Sequence, residues 1–198
     1  MSGRQSAEER KTQIVAAVLR LADEIGPDRL STTDVARAIG LSQPAIFRHF
    51  PTKYELWLAV AEDIAEHLKT AWTAAETKSA GPNDRLRALI GAQLAAITET
   101  PALPSILFSR ELQVENPDLR TVFREILGAY QSRLVAAIRD QQAVGDVRDG
   151  LSPEDIAILL TSLVQGVAIR WTLGARGFSL VQEGLRLFDM QMGLLRGR

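Results

Sequence analysis

The sequence predicts an all-α protein of about nine helices, with a three-helix N-terminal helix-turn-helix domain followed by a larger helical domain. Three observations support this prediction. Apolar residues recur every three or four positions along most of the chain, hydroxyl or carboxyl residues of the kind that cap helices precede these stretches, and Gly or Pro ends them. Alternating strand patterns are almost absent.

The first three helices are short. Ser6 and Glu9 have the spacing of a capping box, in which each residue satisfies a free backbone amide of the other. Ser42 is expected to cap the third helix, with Pro44 tolerated in its first turn. The three helices are expected over residues 6–25, 31–39 and 42–50, and Gly26-Pro27, Gly40 and Pro51 end them.

Six longer helices are predicted after these. Thr52 and Glu55 form a further capping box, and the helix that they begin reaches about Lys78. Helical patterns of roughly 11 to 27 residues follow, near or above the usual mean helix length. The breaks between them fall at Gly81-Pro82, Pro101, Pro104, Asn116-Pro117, Gly145–Gly150, Ser152-Pro153 and Gly174–Gly177.

Composition excludes several classes of site. The chain has 198 residues, no cysteine and two histidines, so a disulfide scaffold, a thiolate zinc site and a cysteine nucleophile are excluded. Asp63 and His67 are spaced as a helical i, i+4 pair, and a solvated ion pair is the better interpretation than a metal site. No catalytic spacing is visible. We therefore expect no metal, no cofactor and no enzymatic activity.

No membrane partner is expected. The start, Met1–Lys11, is polar, and the longest uncharged run, Ile156–Ile169, has fourteen residues, which is too short to span a bilayer. A soluble, cytoplasmic protein is the prediction.

The most informative stretch is Thr32–Pro51, which matches a helix-turn-helix. Ala36 is small enough for close helix approach, and Gly40 supplies the positive φ that ends the second helix within one residue. Plain helix packing produces the same geometry and remains the alternative. The shared apolar seam is expected to contain Val35, Ile39, Leu41 and Ile46, with Ile14, Val18 and Leu21 of the first helix.

The outward face of the third helix has the chemistry needed to read a DNA major groove. An amide can bind base edges, apolar surface can contact a thymine methyl, and a cation can bind phosphate or guanine. Phosphates are expected at the starts of the second and fourth helices. The groove-facing residues are Gln43, Pro44, Phe47 and Arg48, and the phosphate ligands are Thr32, Thr33 and Lys53.

The segment LSTTDVARAIGLSQPAIFRHFPTKYEL closely resembles the DNA-binding segment of the tetracycline-repressor (TetR/AcrR) family. The detailed match covers about residues 10–60. The resemblance implies a homodimer, an N-terminal reader and a C-terminal effector-binding domain. It places Gln43, Pro44 and Ala45 at bases, and Thr32, Phe47, His49 and Lys53 near the backbone. The family commonly has Tyr at position 47, so a phosphate hydrogen bond on the order of 1 kcal/mol is missing.

Two domains follow from this, a DNA-binding domain over residues 1–54 and an effector-binding and dimerisation domain over residues 55–198. Residues 1–54 hold eight basic side chains against six acidic ones, a net charge of +2, and the remainder holds 15 against 18, a net charge of −3. The excess is modest, so affinity for DNA must come from a few placed contacts rather than from a polybasic surface.

The second domain is expected to dimerise and to bind a small molecule. The apolar run Ile156–Ile169 and the last helix are expected to form a four-helix dimer interface, although an intramolecular core is the alternative. Candidate effector contacts are Trp72, Phe108, Phe123, Tyr130, Gln165 and Trp171, each of which also suits an ordinary core position.

We expect a sequence-specific transcriptional regulator that binds a palindromic operator in double-stranded DNA and acts as a repressor released by a small molecule. The alternatives are a DNA-binding protein without an effector and an all-helical enzyme.

Overall fold

The computed structural model describes residues 6–79 and 81–196, and within these residues every regular element is a helix, which confirms the all-α class. The remaining positions include Arg4 and the ends of both predicted domains and lie outside the described residues. The ten described helices are α1 (Ala7–Ile25), α2 (Thr32–Ala38), α3 (Gln43–Phe47), α4 (Lys53–Lys78), α5 (Pro82–Glu99), α6 (Leu103–Phe108), α7 (Arg110–Glu115), α8 (Pro117–Ala143), α9 (Pro153–Leu173) and α10 (Leu180–Leu195).

The number of helices exceeds the prediction by one because α6 and α7 are separate. Ser109 between them has extended backbone (φ −66°, ψ 110°), and its side chain accepts a hydrogen bond from the backbone N–H of Leu112 at 3.1 Å. One buried serine therefore ends α6 and caps α7, a division that the apolar spacing alone does not reveal.

Most predicted caps are present, and one is wrong. The predicted capping boxes form at Ser6 and Thr52, and a box that was not predicted forms between Ser31 and Asp34. Ser42 precedes α3 but makes no side-chain cap. Pro44 has no N–H to offer, and the N–H of Ala45 donates to the backbone carbonyl of Ser42 at 2.9 Å, so the hydroxyl finds no donor. The third helix is also shorter than predicted and ends at Phe47.

The first compact unit contains the residues up to Glu66 and Thr100–Phe123. Within it, α1 packs against α2 and α6, and α2 packs against α3. The large side chains at its centre are almost fully buried and come from α1, α3, α4, α6, α7 and α8, namely Ile14, Ile46, Trp57, Ile106, Leu112 and Leu119. This unit holds the helix-turn-helix.

The second compact unit contains His67–Glu99 and the residues from Arg124 onward. Here α10 packs against α5 and α9. Gly184 permits the close approach of α10 to α5, because a Cβ at this position would lie 2.5 Å from Cδ1 of the buried Leu94. The structural units do not divide at residue 54, and the division into functional domains at that residue stays a prediction.

Candidate nucleic-acid interface

The turn between α2 and α3 is set by the backbone at Gly40. Gly40 has a φ of 67°, a conformation that costs residues other than glycine. The N–H of Leu41 donates to the carbonyl of Ala36 at 2.9 Å, and that of Gly40 donates to Arg37 at 3.3 Å. This is the Schellman pattern, so α2 ends sharply and α3 begins a few residues later.

The apolar seam beneath the two helices agrees with the expected one. Val35 and Ile46 are fully buried, and Ala36 is 3% exposed. Ile39 and Leu41 are half-buried. Because both helices bury one side in this seam, their other sides must face outward together.

The outward surface of α3 consists of polar and apolar side chains in a small area. Gln43, Pro44, Phe47 and Arg48 are exposed, and Phe47 retains 37% of its accessible surface. Ala45 is 7% exposed and belongs to the core, so it adds almost nothing to this face. The groove-facing set predicted from spacing is thus the set that the structure exposes, and Ala45 lies beneath it.

Thr32 lies at the start of α2 and is buried, with 9% of its surface exposed. Its hydroxyl accepts a hydrogen bond from the side-chain amide of Gln43 at 2.9 Å. Thr33 is exposed. The link between Thr32 and Gln43 spans eleven residues and has no sequence signature, so sequence reasoning missed it.

The start of α4 offers a second polar site in the same unit. Thr52 and Glu55 cap the helix reciprocally at 3.1 Å. Lys53 is exposed, and His49 is half-buried. The hydroxyl of Tyr54 donates to the carboxylate of Asp118, and this hydrogen bond raises the pKa of the Tyr54 phenol.

Arg48 and Lys53 carry the free positive charge of this surface, because neither has an ion-pair partner in the part of the chain that the structure describes. By contrast, Arg37 is paired with Asp34 at 3.4 Å. Two unpaired cations in the same unit as an exposed amide suit the phosphate contacts that accompany a base-reading helix.

A second surface, on α9 and α10, is apolar and uncovered. The exposed positions of α9 follow helical spacing and form one stripe, and α10 exposes two further large apolar side chains. Leu173, for example, is 83% exposed. We call this the α9/α10 face, and its residues are Leu159, Ser162, Gly166, Ile169 and Leu173 of α9, with Met190 and Leu194 of α10.

Among the described helices, α9 alone is long and apolar enough to cross a membrane, although the core helices of soluble proteins pass the same test. Buried residues make up 44% of its most apolar 18-residue window. The uncharged run of fourteen residues in the sequence stops before Arg170, whereas the helix extends from Pro153 to Leu173, so the run underestimates the length of the helix.

Two of the candidate effector residues lie in contact. The rings of Trp72 and Tyr130 stack with centroids 4.9 Å apart, and Nε1 of Trp72 donates to Gln93 at 2.8 Å. The guanidinium of Arg133 lies 6.0 Å from the Trp72 ring and is paired with Glu76.

The hydroxyl of Tyr130 is buried without a hydrogen-bond partner in the described residues, and burial raises the pKa of this phenol well above its ordinary value.

The other four candidates have separate surroundings. Nε1 of Trp171 donates to the carbonyl of Phe178 at 3.1 Å, and Gln165 is half-buried. Phe123 is buried and Phe108 is 52% exposed, and both belong to the first unit. Trp72 and Tyr130 are thus the two candidates whose direct contact the structure shows.

One side-chain contact differs from the expectation. His67 contacts Glu99, with 3.1 Å between Nε2 and Oε2, rather than Asp63 four residues away. Glu99 comes from α5, so packing of two helices selects this partner. Among the described residues, no group of three or more His, Cys, Asp or Glu side chains has a metal-binding arrangement.

The fold and the α3 surface define a helix-turn-helix protein of the kind that binds DNA. Two family models match the chain. Residues 14–60 match "Bacterial regulatory proteins, tetR family", and residues 82–186, more than half of the chain, match "BetI-type transcriptional repressor, C-terminal". The chain belongs to the TetR family of bacterial transcriptional regulators. It is a DNA-binding transcriptional regulator.

Similar proteins of known name or structure match the chain over four fifths of its length or more. The nucleoid occlusion factor SlmA of Vibrio cholerae is 27% identical over 83% of this chain and 82% of its own. A regulator from Saccharomonospora viridis, solved in complex with choline, has a TM-score of 0.84 at 23% identity and covers 96% of this chain and 100% of its own. The ketosteroid regulator KstR2 of Mycobacterium tuberculosis has a TM-score of 0.79 at 17% identity, covering 96% of each chain.

Proposed function

We propose that α3 reads base edges in the major groove of a DNA operator and that the starts of α2 and α4 hold the flanking phosphates. The observation that carries this proposal is the outward face of α3, where an amide, two apolar side chains and an unpaired cation are exposed over a buried apolar seam. Gln43 provides the base-reading amide, and Pro44 and Phe47 provide the apolar contact for a thymine methyl.

Arg48, Thr33 and Lys53 are the proposed phosphate ligands. Arg48 and Lys53 have free charges, and Lys53 lies in the first turn of a capped helix whose dipole favours an anion. His49, which is half-buried and lies between Arg48 and Lys53 in the sequence, is proposed to lie near the DNA backbone. Such contacts fix position along the duplex and carry no sequence information.

A second copy of the chain covers the α9/α10 face in the functional dimer. The stripe on α9 has spacings of three and four residues, which suits antiparallel or crossed packing against the same stripe of a partner. Its small central residues, Ser162 and Gly166, permit close helix approach. A two-fold dimer presents two readers to a palindromic operator with half-sites about 34–36 Å apart. The dimer acts on DNA in the cytoplasm.

The second unit binds a small-molecule effector that releases DNA, and the chain acts as a repressor. The unpartnered hydroxyl of Tyr130, beside Trp72, supports a ligand-binding role, because buried polar groups without partners are uncommon in ordinary cores. An effector releases DNA only if it binds the non-DNA geometry more tightly. The helix α4 is continuous from Lys53, at the DNA surface, to Lys78 in the second unit and is the proposed link.

A DNA-binding protein without an effector is the second candidate, favoured by the closed packing at the aromatic pair. Trp72 is 1% exposed and Tyr130 is 3% exposed. A small molecule that stabilises the protein against heat and weakens DNA binding supports the first candidate. Unchanged melting and unchanged DNA binding across a broad small-molecule screen support the second.

Selection of bound sequences from random double-stranded DNA tests DNA reading directly. The proposal predicts two related half-sites in inverted orientation. Lys53→Ala should weaken binding to all sequences alike and lower the salt dependence, log K against log salt concentration, by about one unit for each phosphate that the lysine neutralises. Lys69→Ala, which removes an exposed lysine of the same helix in the second unit, is the matched control and should change neither quantity. Failure to enrich any sequence would contradict DNA reading by α3.

A further inference from the structure

We propose that Thr32 sets the base specificity of Gln43 by engaging one of its two amide hydrogens, so that the free edge of the amide selects adenine over guanine. This inference rests on the proposed function and deepens it. Thr32 was expected near phosphate. Its burial and its hydrogen bond to Gln43 instead make it a positioning residue beneath the reading face.

A hydrogen bond to Thr32 fixes the position of the Gln43 side chain. Thr32 is the first residue of α2, and the helix end that carries it is fixed by the capping box of Ser31 and Asp34. Its hydroxyl oxygen lies 2.9 Å from Nε2 of Gln43, the first residue of α3. Because Thr32 is buried and β-branched, its side chain has little freedom to move away.

Counting donors and acceptors shows what remains for DNA. A glutamine amide has two N–H donors and one carbonyl oxygen. The proposal requires that Thr32 accepts the N–H that points away from Oε1, so that the other N–H and the oxygen are left side by side. Adenine presents an acceptor, N7, and a donor, N6–H, in the major groove, so it matches this edge.

Guanine presents two acceptors, N7 and O6, and two outward donors would be needed to bind both. The hydrogen bond from Gln43 to Thr32 removes the second donor and keeps the amide from turning over. Loss of that bond frees both N–H groups and permits either orientation.

Operator variants that place A or G at the Gln43 position of both half-sites test the proposal. Wild type should prefer A by about tenfold or more, as good bidentate amide–adenine pairs do. Thr32→Val keeps the shape but removes the hydroxyl, and the A-to-G ratio should fall toward one. Thr32→Ser restores the hydroxyl and should restore the ratio.

Thr33→Val is the neighbouring control. It removes an exposed hydroxyl from a proposed phosphate ligand, so it should lower affinity for both operators equally and leave their ratio unchanged. Thermal melting of each variant confirms that it is folded. If Thr32→Val melts too low for use, the Thr32→Ser and Thr32→Ala pair gives the same comparison of hydroxyl present and absent.

The outcomes separate the two proposals. If no operator can be selected, the proposed function fails. If an operator is selected and Thr32→Val keeps the wild-type ratio, or weakens A and G alike, then Thr32 supports the fold only and the inference is overturned. A wild-type preference for G at this position also overturns it, because it requires the amide to face DNA with both donors.

Discussion

Tyr130→Phe tests the interior of the second unit, because it removes only a hydroxyl that has no hydrogen-bond partner in the described residues. A buried hydroxyl without a partner costs about 1–3 kcal/mol relative to an apolar replacement of the same shape. The ring of Tyr130 is 3% exposed and stacks on Trp72 at 4.9 Å, and phenylalanine keeps both features. We therefore expect Tyr130→Phe to raise the free energy of unfolding of the ligand-free protein.

The expected gain is measurable by thermal melting or urea unfolding. For a chain of this size, about 1–3 kcal/mol corresponds to a rise in Tm of roughly 2–12 °C. Tyr54→Phe is the matched control, since the hydroxyl of Tyr54 donates to Asp118. Its removal should destabilise the protein by about 1 kcal/mol. Opposite signs for the two tyrosines are the expected result, and a Tyr130→Phe variant no more stable than wild type would refute the reasoning.

The same variant connects stability with regulation. An effector that hydrogen-bonds the Tyr130 hydroxyl stabilises the wild type in proportion to the logarithm of its concentration over its Kd. Tyr130→Phe should then start from a higher Tm and gain less from the effector. Equal gains in both proteins would remove Tyr130 from the effector site.

Three further results are expected. Gly184→Ala should be about 1–3 kcal/mol less stable than Gly128→Ala in urea unfolding. Both substitutions raise helix propensity, but only the new Cβ at position 184 would clash with the side chain of Leu94. Equal stabilities of the two variants would contradict the close packing of α10 on α5. Hydrogen bonds from Arg186 and then Arg170 lower the pKa of Glu183 to about 2. The stabilisation of the folded protein by ionised Glu183 is present above the unfolded pKa and is lost as the pH falls from about 4.5 to about 2. Glu183→Gln should therefore lose less stability than wild type over this pH range. Identical losses in the two proteins would argue against the pairing of Glu183 with the two arginines. Leu159→Glu, at a 52% exposed position of the α9/α10 face, should convert dimers to folded monomers in sedimentation experiments. The control Val144→Glu, at a 57% exposed position outside this face, should leave the dimer intact. A Leu159→Glu variant that remains dimeric would show that α9 does not form the dimer interface.

Local signals explain why much of the fold could be predicted from the sequence. Gly40 needs a positive φ, and the boxes at Ser6 and Thr52 join residues three apart, so each of these signals lies within one short stretch of sequence. The same holds for the exposed face of α3, whose members follow from helical spacing. The face could be predicted without knowledge of the tertiary structure.

Interactions between distant residues could not be predicted in this way. Thr32 was expected near phosphate, but packing of α2 on α3 places its hydroxyl beneath Gln43. His67 pairs with Glu99, 32 residues away, in preference to Asp63 on its own helix. Ser109 accepts a hydrogen bond from Leu112, and its hydroxyl donates to Asp28, so the break between α6 and α7 depends on a loop much earlier in the chain.

The central claim, that the outward face of α3 reads the operator, is tested most directly by the base preference of Gln43→Ala. Binding of wild type and Gln43→Ala should be measured on the selected operator and on every single-base variant of one half-site. The account predicts that Gln43→Ala loses about 1–3 kcal/mol of discrimination at one base pair of the half-site while discrimination elsewhere persists. An unchanged preference at every position would contradict it.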